Sequence, residues 1–227
     1  MTSKWPTDPT DPDALRAFVI EHTRLLPVPH VPSIQLHLAD EAIELWRKTE
    51  SEIDALGLPP PFWAFAWAGG QAVARYILDT PEHVRGKSVI DFAAGSGVAA
   101  IACLQAGAVQ VVASEVDPFA IAAMQVNARA NGVRFLVTSD DLIACEPPDC
   151  DVLIAGDVCY EQPMADEVVA WLERAASRGS DVLIGDPGRS YLPKEKLVKA
   201  ATYQVPVTRA LEDADIKTTT VWRFRSS

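Results

Sequence analysis

A chain of 227 residues, 48% hydrophobic and 22% charged, is long enough for one α/β domain with a sizeable core and an N-terminal extension. Its formal net charge of −11 argues against a large nucleic-acid footprint, which needs clustered Lys and Arg, and favours small molecules or a protein partner with a basic face. Cys103, Cys145, Cys150 and Cys159 form no C-x-x-C pair and no metal-like spacing, and no apolar run approaches the ~20 residues of a membrane helix, so a bacterial cytoplasmic protein with reduced thiols and no membrane contact is expected.

Residues 1–10 are rich in Pro, Thr and Asp, lack a signal-peptide apolar region and carry acids where a presequence would carry Arg. Asp11-Pro12-Asp13 is a helix start, with a cap, Pro in the first turn and an acid. Leu15, Phe18, Val19, His22, Leu25 and Leu26 repeat at helical spacing until Pro27, Pro29 and Pro32 end the helix, with His22 packed on its core face. Ile34, Leu36 and Leu38 alternate as in a strand, and a charged helix with Trp46 buried is expected from about Asp40 to Leu56. Phe62, Trp63, Phe65 and Trp67 crowd into six positions before Gly69-Gly70 and a helix that reaches about Asp79. Phe62 and Phe65 are expected to plug the core between the extension (1–66) and the main domain (67–227), and Trp67 to border a cofactor pocket.

From Ser88 onward, strands and helices alternate. Strands are expected at Ser88–Asp91, Gln110–Glu115, Arg134–Thr138, Asp151–Ala155, Asp181–Gly185, Val205–Arg209 and Thr218–Phe224. Helices are expected at Gly97–Gly107, Pro118–Asn131, Met164–Ser177 and Lys194–Ala201. Such alternation means a parallel sheet covered on both faces, and the last two strands, with no long helix between them, can close one edge as an antiparallel hairpin. The fold class is therefore α/β, a seven-stranded Rossmann-like sheet with an antiparallel edge hairpin and a helical N-terminal extension.

The run Ser88-Val89-Ile90-Asp91 ends in a carboxylate, followed by the small-residue loop Ala93-Ala94-Gly95-Ser96-Gly97 and a helical pattern. That is how a βα turn is built when the backbone must lie against a ligand. Glu115 ends the next strand, 20 residues beyond Gly95, where a carboxylate meets a pair of ribose hydroxyls, with Val116 beside it. Gly95-Ser96-Gly97-Val98-Ala99-Ala100 also fits the dinucleotide fingerprint, but Asp91 would repel a pyrophosphate at this turn. A carboxylate there suits the ammonium and sulfonium of S-adenosylmethionine (SAM), which is the expected cofactor. Asp117 before Pro118 reads as a helix cap. The next strand ends in Ser139-Asp140-Asp141; Asp140, or Asp141 one register away, is placed to accept from the adenine amino group, a helix-cap role remaining open. Gly156-Asp157-Val158-Cys159-Tyr160 then puts a carboxylate and a phenol at the lip of the pocket, where a methyl acceptor enters; a turn-capping role for Asp157 remains open. Asp-Val-Cys-Tyr is not the Asn/Asp-Pro-Pro-Tyr or -Phe that stacks a flat base, which points to a flexible amine.

Asp157-Val158-Cys159-Tyr160 matches the D-x-x-Y motif of the seven-stranded protein lysine methyltransferases. Phe62–Gln71, Val84–Val89, Gly185–Arg189 and Thr219–Trp222 further resemble the lysine methyltransferases of the electron-transfer flavoprotein β subunit, over about residues 28 to 225. The resemblance implies SAM-dependent N-methylation of a protein lysine, the flavoprotein β subunit as partner, Asp157 orienting the ε-amine and Tyr160 shaping its channel. The family loop has glycine where this chain has Ala93, which narrows the methionine slot by a methyl group. Competing readings are methylation of another protein such as a ribosomal protein, methylation of a small amine, a non-catalytic SAM-binding protein, and an NAD-dependent oxidoreductase. The Asp157/Tyr160 pair speaks against the regulator, and Asp91 against the oxidoreductase. Gly185–Arg189 reads equally as an ordinary turn or as a substrate-holding loop in which Arg189 pairs a carboxylate of the partner. His22, His30, His37 and His83 form no ligand constellation, so no metal is expected.

Overall fold

The computed structural model describes residues 10–39, 60–209 and 214–225. The helix expected over Asp40–Leu56, with Trp46, lies outside the described residues. Helix α1 (Pro12–His22) begins as its sequence dictates: the Asp11 carboxylate accepts from the Asp13 and Ala14 amides at 2.9 and 3.3 Å. It ends earlier than the apolar spacing predicted. Thr23 turns extended, and Leu25 and Leu26 enter strand β1 (Arg24–Val28), which pairs antiparallel with β2 (Val31–Leu38). Over so short a run the 3.6-residue and two-residue periods overlap, and Pro27 cannot continue a helix.

The main sheet has the order β5-β4-β3-β6-β7-β9-β8, built from β3 (Ser88–Phe92), β4 (Gln110–Ser114), β5 (Leu136–Thr138), β6 (Val152–Gly156), β7 (Asp181–Asp186), β8 (Leu197–Pro206) and β9 (Ile216–Phe224). The first five strands in that order run parallel; β9 is antiparallel to β7, and β8 to β9. The helix expected over Lys194–Ala201 is not formed. A 3₁₀ turn at Lys194–Lys196 leads straight into β8, which pairs with β9 from Leu197↔Phe224 to Pro206↔Ile216. Its lysines and alanines favour a helix locally, but pairing with the last strand overrides that weak preference. The strand expected at Val205–Arg209 is only the end of β8.

Central strands β3 and β6 are buried on both faces, as parallel strands between helix layers are. On one face α2 (Ala68–Asp79) and α3 (Val98–Gln105) bury Val73, Ile77 and Ile101 against Val89, Val111 and Ile154. On the other, α5 (Met164–Ser177) buries Val168, Trp171 and Leu172 against Ile90, Leu153 and Ile184. A third cluster joins α1, the aromatic segment and α4 (Pro118–Ala130) through Phe18, Trp63, Phe65 and Phe119, with Trp63 stacked on Phe119 at 6.4 Å. Trp63 and Phe65 form the plug; Phe62, expected to share it, is 37% exposed and turned toward Trp67 and Tyr160 instead.

The β1–β2 hairpin is tied to α4 by two side-chain amides, of which Asn127 is fully buried and Asn131 half-buried. Asn127 Oδ1 accepts from the His37 N–H at 2.7 Å, while its Nδ2 donates to the Ser96 carbonyl at 2.9 Å. Asn131 accepts from and donates to the Gln35 backbone at 2.9 and 2.6 Å. Among the described residues, no helix is long and apolar enough to cross a membrane.

The N-terminus of α2 lies directly on the carboxyl ends of β6 and β7. A Cβ at Gly185 would overlap the Gly69 carbonyl oxygen, one at Gly69 would overlap the Gly185 oxygen, and one at Gly156 would sit 2.8 Å from the Gly70 nitrogen. All of these obstacles are backbone and cannot rotate away. Gly185→Ala is therefore expected to destabilise by about 3 kcal/mol or more, lowering Tm by about 2–4 °C per kcal/mol. A thermal melt equal to wild type would show that this packing is looser than described.

Candidate active site

The sheet reverses its winding at β3. The chain moves from β3 through β4 to β5 on one side, then crosses to β6 and β7 on the other, opening a crevice at the carboxyl ends of β3 and β6. Asp91, on β3, is 3% exposed, and its Oδ2 accepts from the Ala100 N–H in the first turn of α3 at 2.8 Å. Burial pushes its carboxyl up to about 7; the Ala100 bond opposes the rise, and the Glu115 carboxylate adds to it. The loop that follows needs left-handed backbone at Ala93 (φ +52°), Gly95 (+51°) and Gly97 (+79°). Gly97 is also fixed by packing, since a Cβ would come within 3.1 Å of Met124 Cγ, whereas one at Gly95 would meet open space. Ala93 carries its side chain in this region at a cost of roughly 1–2 kcal/mol, and the side chain is exposed, with Ala94 half-buried behind it.

Glu115 closes the other side of the loop. Its Oε2 accepts from the Gly95 N–H at 3.1 Å, and its Oε1 from the Val116 and Asp117 amides at 2.9 and 3.3 Å. Val116 projects beside it, 64% exposed. Asp117 caps α4 by accepting from the Phe119 N–H at 2.8 Å. Asp140 and Asp141, both exposed, lie beyond β5. Asp140 Oδ2 accepts from Thr138 Oγ1 at 2.8 Å, and Asp141 Oδ1 accepts from the Ile143 N–H at 3.1 Å, capping the 3₁₀ turn Leu142–Ala144.

At the end of β6, half-buried Gly156 leads into Asp157, which has φ +58°, is 9% exposed, and donates its N–H to the Gly185 carbonyl at 2.9 Å. Asp157 Oδ2 accepts from the Gly69 and Gly70 amides at 2.6 and 3.1 Å, so it caps α2, a helix 88 residues away in sequence. Its Oδ1 faces the Arg189 guanidinium at 3.3 Å. Arg189 thus pairs with a carboxylate of its own chain. Neither contact is legible in sequence, because both join residues brought together only by sheet order. The Asp186 carboxylate, which the sequence presents only as part of the Gly185–Arg189 turn, accepts from the Gly188 and Arg189 amides at 2.6 and 2.7 Å.

Tyr160 lies at the lip, 44% exposed and 5.9 Å from the Phe62 ring; Phe62 meets Trp67 edge-on at 5.8 Å, and Trp67 Nε1 donates to the Phe62 carbonyl at 2.8 Å. Trp67 immediately precedes α2, so the rim and the Asp157 cap are set by one helix start. Partial burial, then Glu161 and Glu115, raise the Tyr160 pKa. Burial, then Asp186 and Asp157, push the Cys159 thiol up to about 12, which leaves it inert as a nucleophile. A depression of about 520 Å³ at the opposite end of the sheet is lined by Lys87, Asp151, Arg178 and Arg223 among others. Its two arginines are spent on neighbours, Arg178 on Asp149 and Arg223 on Asp181.

These residues fit SAM. A buried carboxylate held by a single amide lies behind a loop with open space at Gly95; Glu115 faces the same loop, and an exposed apolar side chain, Val116, borders it. Folding raises the Asp91 pKa above its ordinary value of 3.8, so the protonated form favours the fold, and that contribution is lost as pH rises through about 7. Asp91→Asn removes this dependence. The Tm difference between variant and wild type, in the absence of ligand, is expected to move in the variant's favour from pH 5 to pH 8. A difference equal at the two pH values would mean that Asp91 titrates normally.

Residues 75–158 match the family description of ribosomal protein L11 methyltransferase (PrmA). Among solved structures, magnesium protoporphyrin IX methyltransferase (ChlM) from Synechocystis with bound SAM superposes with a TM-score of 0.50 at 19% identity, covering 69% of this chain and 79% of that one. Curated relatives match along nearly the whole chain. The electron transfer flavoprotein beta subunit lysine methyltransferase of Xenopus laevis is 35% identical over 215 residues, covering 92% of this chain and 86% of its own length. The Homo sapiens protein of the same name is 33% identical over 222 residues, covering 95% and 83%. The chain belongs to the electron transfer flavoprotein beta subunit lysine methyltransferase family.

Proposed function

We propose that this protein transfers a methyl group from SAM to the ε-amine of a lysine on the β subunit of electron transfer flavoprotein. The observation that carries the reading is one crevice that joins a small-residue cofactor loop, Asp91 and Glu115, to a lip made of Asp157, Tyr160, Phe62 and Trp67. The likeness to the Xenopus laevis electron transfer flavoprotein beta subunit lysine methyltransferase covers 92% of the chain, whereas the match to the ribosomal protein L11 methyltransferase family spans residues 75–158 and leaves out Tyr160. The net charge of −11 suits a lysine-bearing protein surface.

SAM supplies a methyl group already activated by its sulfonium. Asp91 would hold the cationic methionine end past the Ala93–Gly97 loop, Glu115 would accept from the ribose hydroxyls, Val116 would flank the adenine, and Asp140 or Asp141 would accept from its amino group. The acceptor lysine must arrive neutral, although its free pKa is ~10.4. The aromatic rim excludes water from the amine and lowers that pKa by desolvation. Asp157 orients the amine by a hydrogen bond to Oδ1 while Oδ2 stays on the α2 amides, and Tyr160 walls the channel. Alignment of the amine with the methyl group at near-attack distance is the enzyme's main contribution.

Glu115→Ala is expected to weaken SAM binding by about 1.5–3 kcal/mol, read by calorimetry. Asp157→Ala is expected to leave that affinity within a few-fold while methylation is lost; a folded and fully active variant would make Asp157 a helix cap and nothing more. Because Asp91 must release its proton to face a cation, SAM affinity should fall as pH drops below about 7. Constant affinity from pH 6 to pH 8 would contradict that coupling. The substrate is tested with purified enzyme, labelled SAM and recombinant flavoprotein, followed by mass spectrometry of lysine peptides. An unmodified β subunit beside strong labelling of another protein would overturn it.

A further inference from the structure

Three charged side chains meet between the carboxyl ends of β6 and β7. Asp186 is 1% exposed, and its Oδ1 gathers the Gly188 and Arg189 amides at 2.6 and 2.7 Å. Gly188, at φ +94°, lets the chain turn there. The turn aims the Arg189 guanidinium back over β6 to Asp157 Oδ1, 3.3 Å away. The other oxygen of Asp186, Oδ2, is buried with no hydrogen-bond partner among the described residues. An acid held under such a penalty is poorly suited to a dispensable surface turn.

We propose that Arg189 is a positioning residue for the methyl acceptor: by holding Asp157 Oδ1 it offsets the carboxylate's charge, so that the site receives the lysine as a neutral amine, and Asp186 is the residue that aims it. This rests on the reading of Asp157 as the acceptor-binding group. A carboxylate with no cation beside it stabilises an ammonium, which has no lone pair to attack a methyl group. A guanidinium cancels that pull at every working pH, since it does not deprotonate. Around this pair, Cys159 lies in the field of Asp186, Asp157 and Arg189, Tyr160 in that of Glu161, Glu115 and Arg189, and Asp186 in that of Arg189 and Lys194, while the uncharged amides of Gly69 and Gly70 at the start of α2 hold Asp157 Oδ2. The acids among these groups attract an ammonium, and Arg189, together with Lys194, opposes that attraction.

The test uses n-butylammonium as a lysine side-chain probe, titrated by ligand-observed NMR at pH 7.5, together with pH–rate profiles for methylation of the unmodified protein substrate. Arg189→Gln is expected to bind the probe about tenfold more tightly than wild type, and Asp157→Asn more weakly. The same Arg189 variant should move the kcat midpoint up by about one pH unit, cut kcat at pH 7 about tenfold, and leave KM for the protein no higher. Asp186→Ala should reproduce the midpoint shift, and Asp186→Asn, which keeps the accepting oxygen, should restore it. Probe affinity and midpoint both unchanged in Arg189→Gln would overturn the proposal, as would a raised KM with an unmoved midpoint, the mark of a docking residue. If Asp157→Asn binds the probe as well as wild type, the acceptor site itself is misplaced, whatever Arg189 does.

Discussion

Contact between the start of α2 and the ends of β6 and β7 is the constraint from which the site follows. Glycine at 69, 156 and 185 lets backbone lie on backbone there. Two helix-terminal amides are thereby delivered to Asp157, which lets a carboxylate stay buried in left-handed backbone. The residue just before that helix is Trp67, so the same contact sets the aromatic rim with Phe62 and Tyr160. A shift of α2 would disturb the aromatic rim and the capped carboxylate together.

The two sides of the crevice treat their buried acids differently. Asp91 has one amide bond and a like charge nearby, and its carboxyl is pushed up to about 7. Asp157 has two amides and a guanidinium. An acid left undercompensated favours a cation arriving from solution, whereas an acid already compensated can accept a hydrogen bond without holding a charge. That difference is what the proposed roles require, a cationic cofactor end beside Asp91 and a neutral amine beside Asp157.

The N-terminal segment contributes to this arrangement as well as covering it. Asn127 links the His37 amide on β2 to the Ser96 carbonyl in the cofactor loop. Gln71, fully buried on α2, accepts from the His30 amide at 3.0 Å and donates to the Ala66 and Pro206 carbonyls at 2.7 and 3.2 Å. The hairpin, the aromatic segment and the end of β8 thus share one buried amide side chain. Buried amides satisfied on every side fix one arrangement, because any displacement strands a polar group.

Local chemistry alone determined much of this protein. Asp11-Pro12 and Asp117-Pro118 write helix starts, Ser88–Phe92 and Val152–Gly156 write buried strands, and the spacing from Asp91 through Gly97 to Glu115 writes a cofactor turn, because each depends on residues within a few positions or one βα unit. Tertiary structure decided the rest. Lys194–Ala201 reads as helix until β9 offers a longer set of hydrogen bonds, and Leu25-Leu26 reads as helix until β2 lies alongside. Phe62 has the composition of a core residue, but its burial depends on which side the chain enters α2. The partners of Asp157 are the least legible of all. They come from α2 and from the turn after β7, and the order of strands in the sheet, which no local pattern encodes, sets which chain ends meet at one carboxylate.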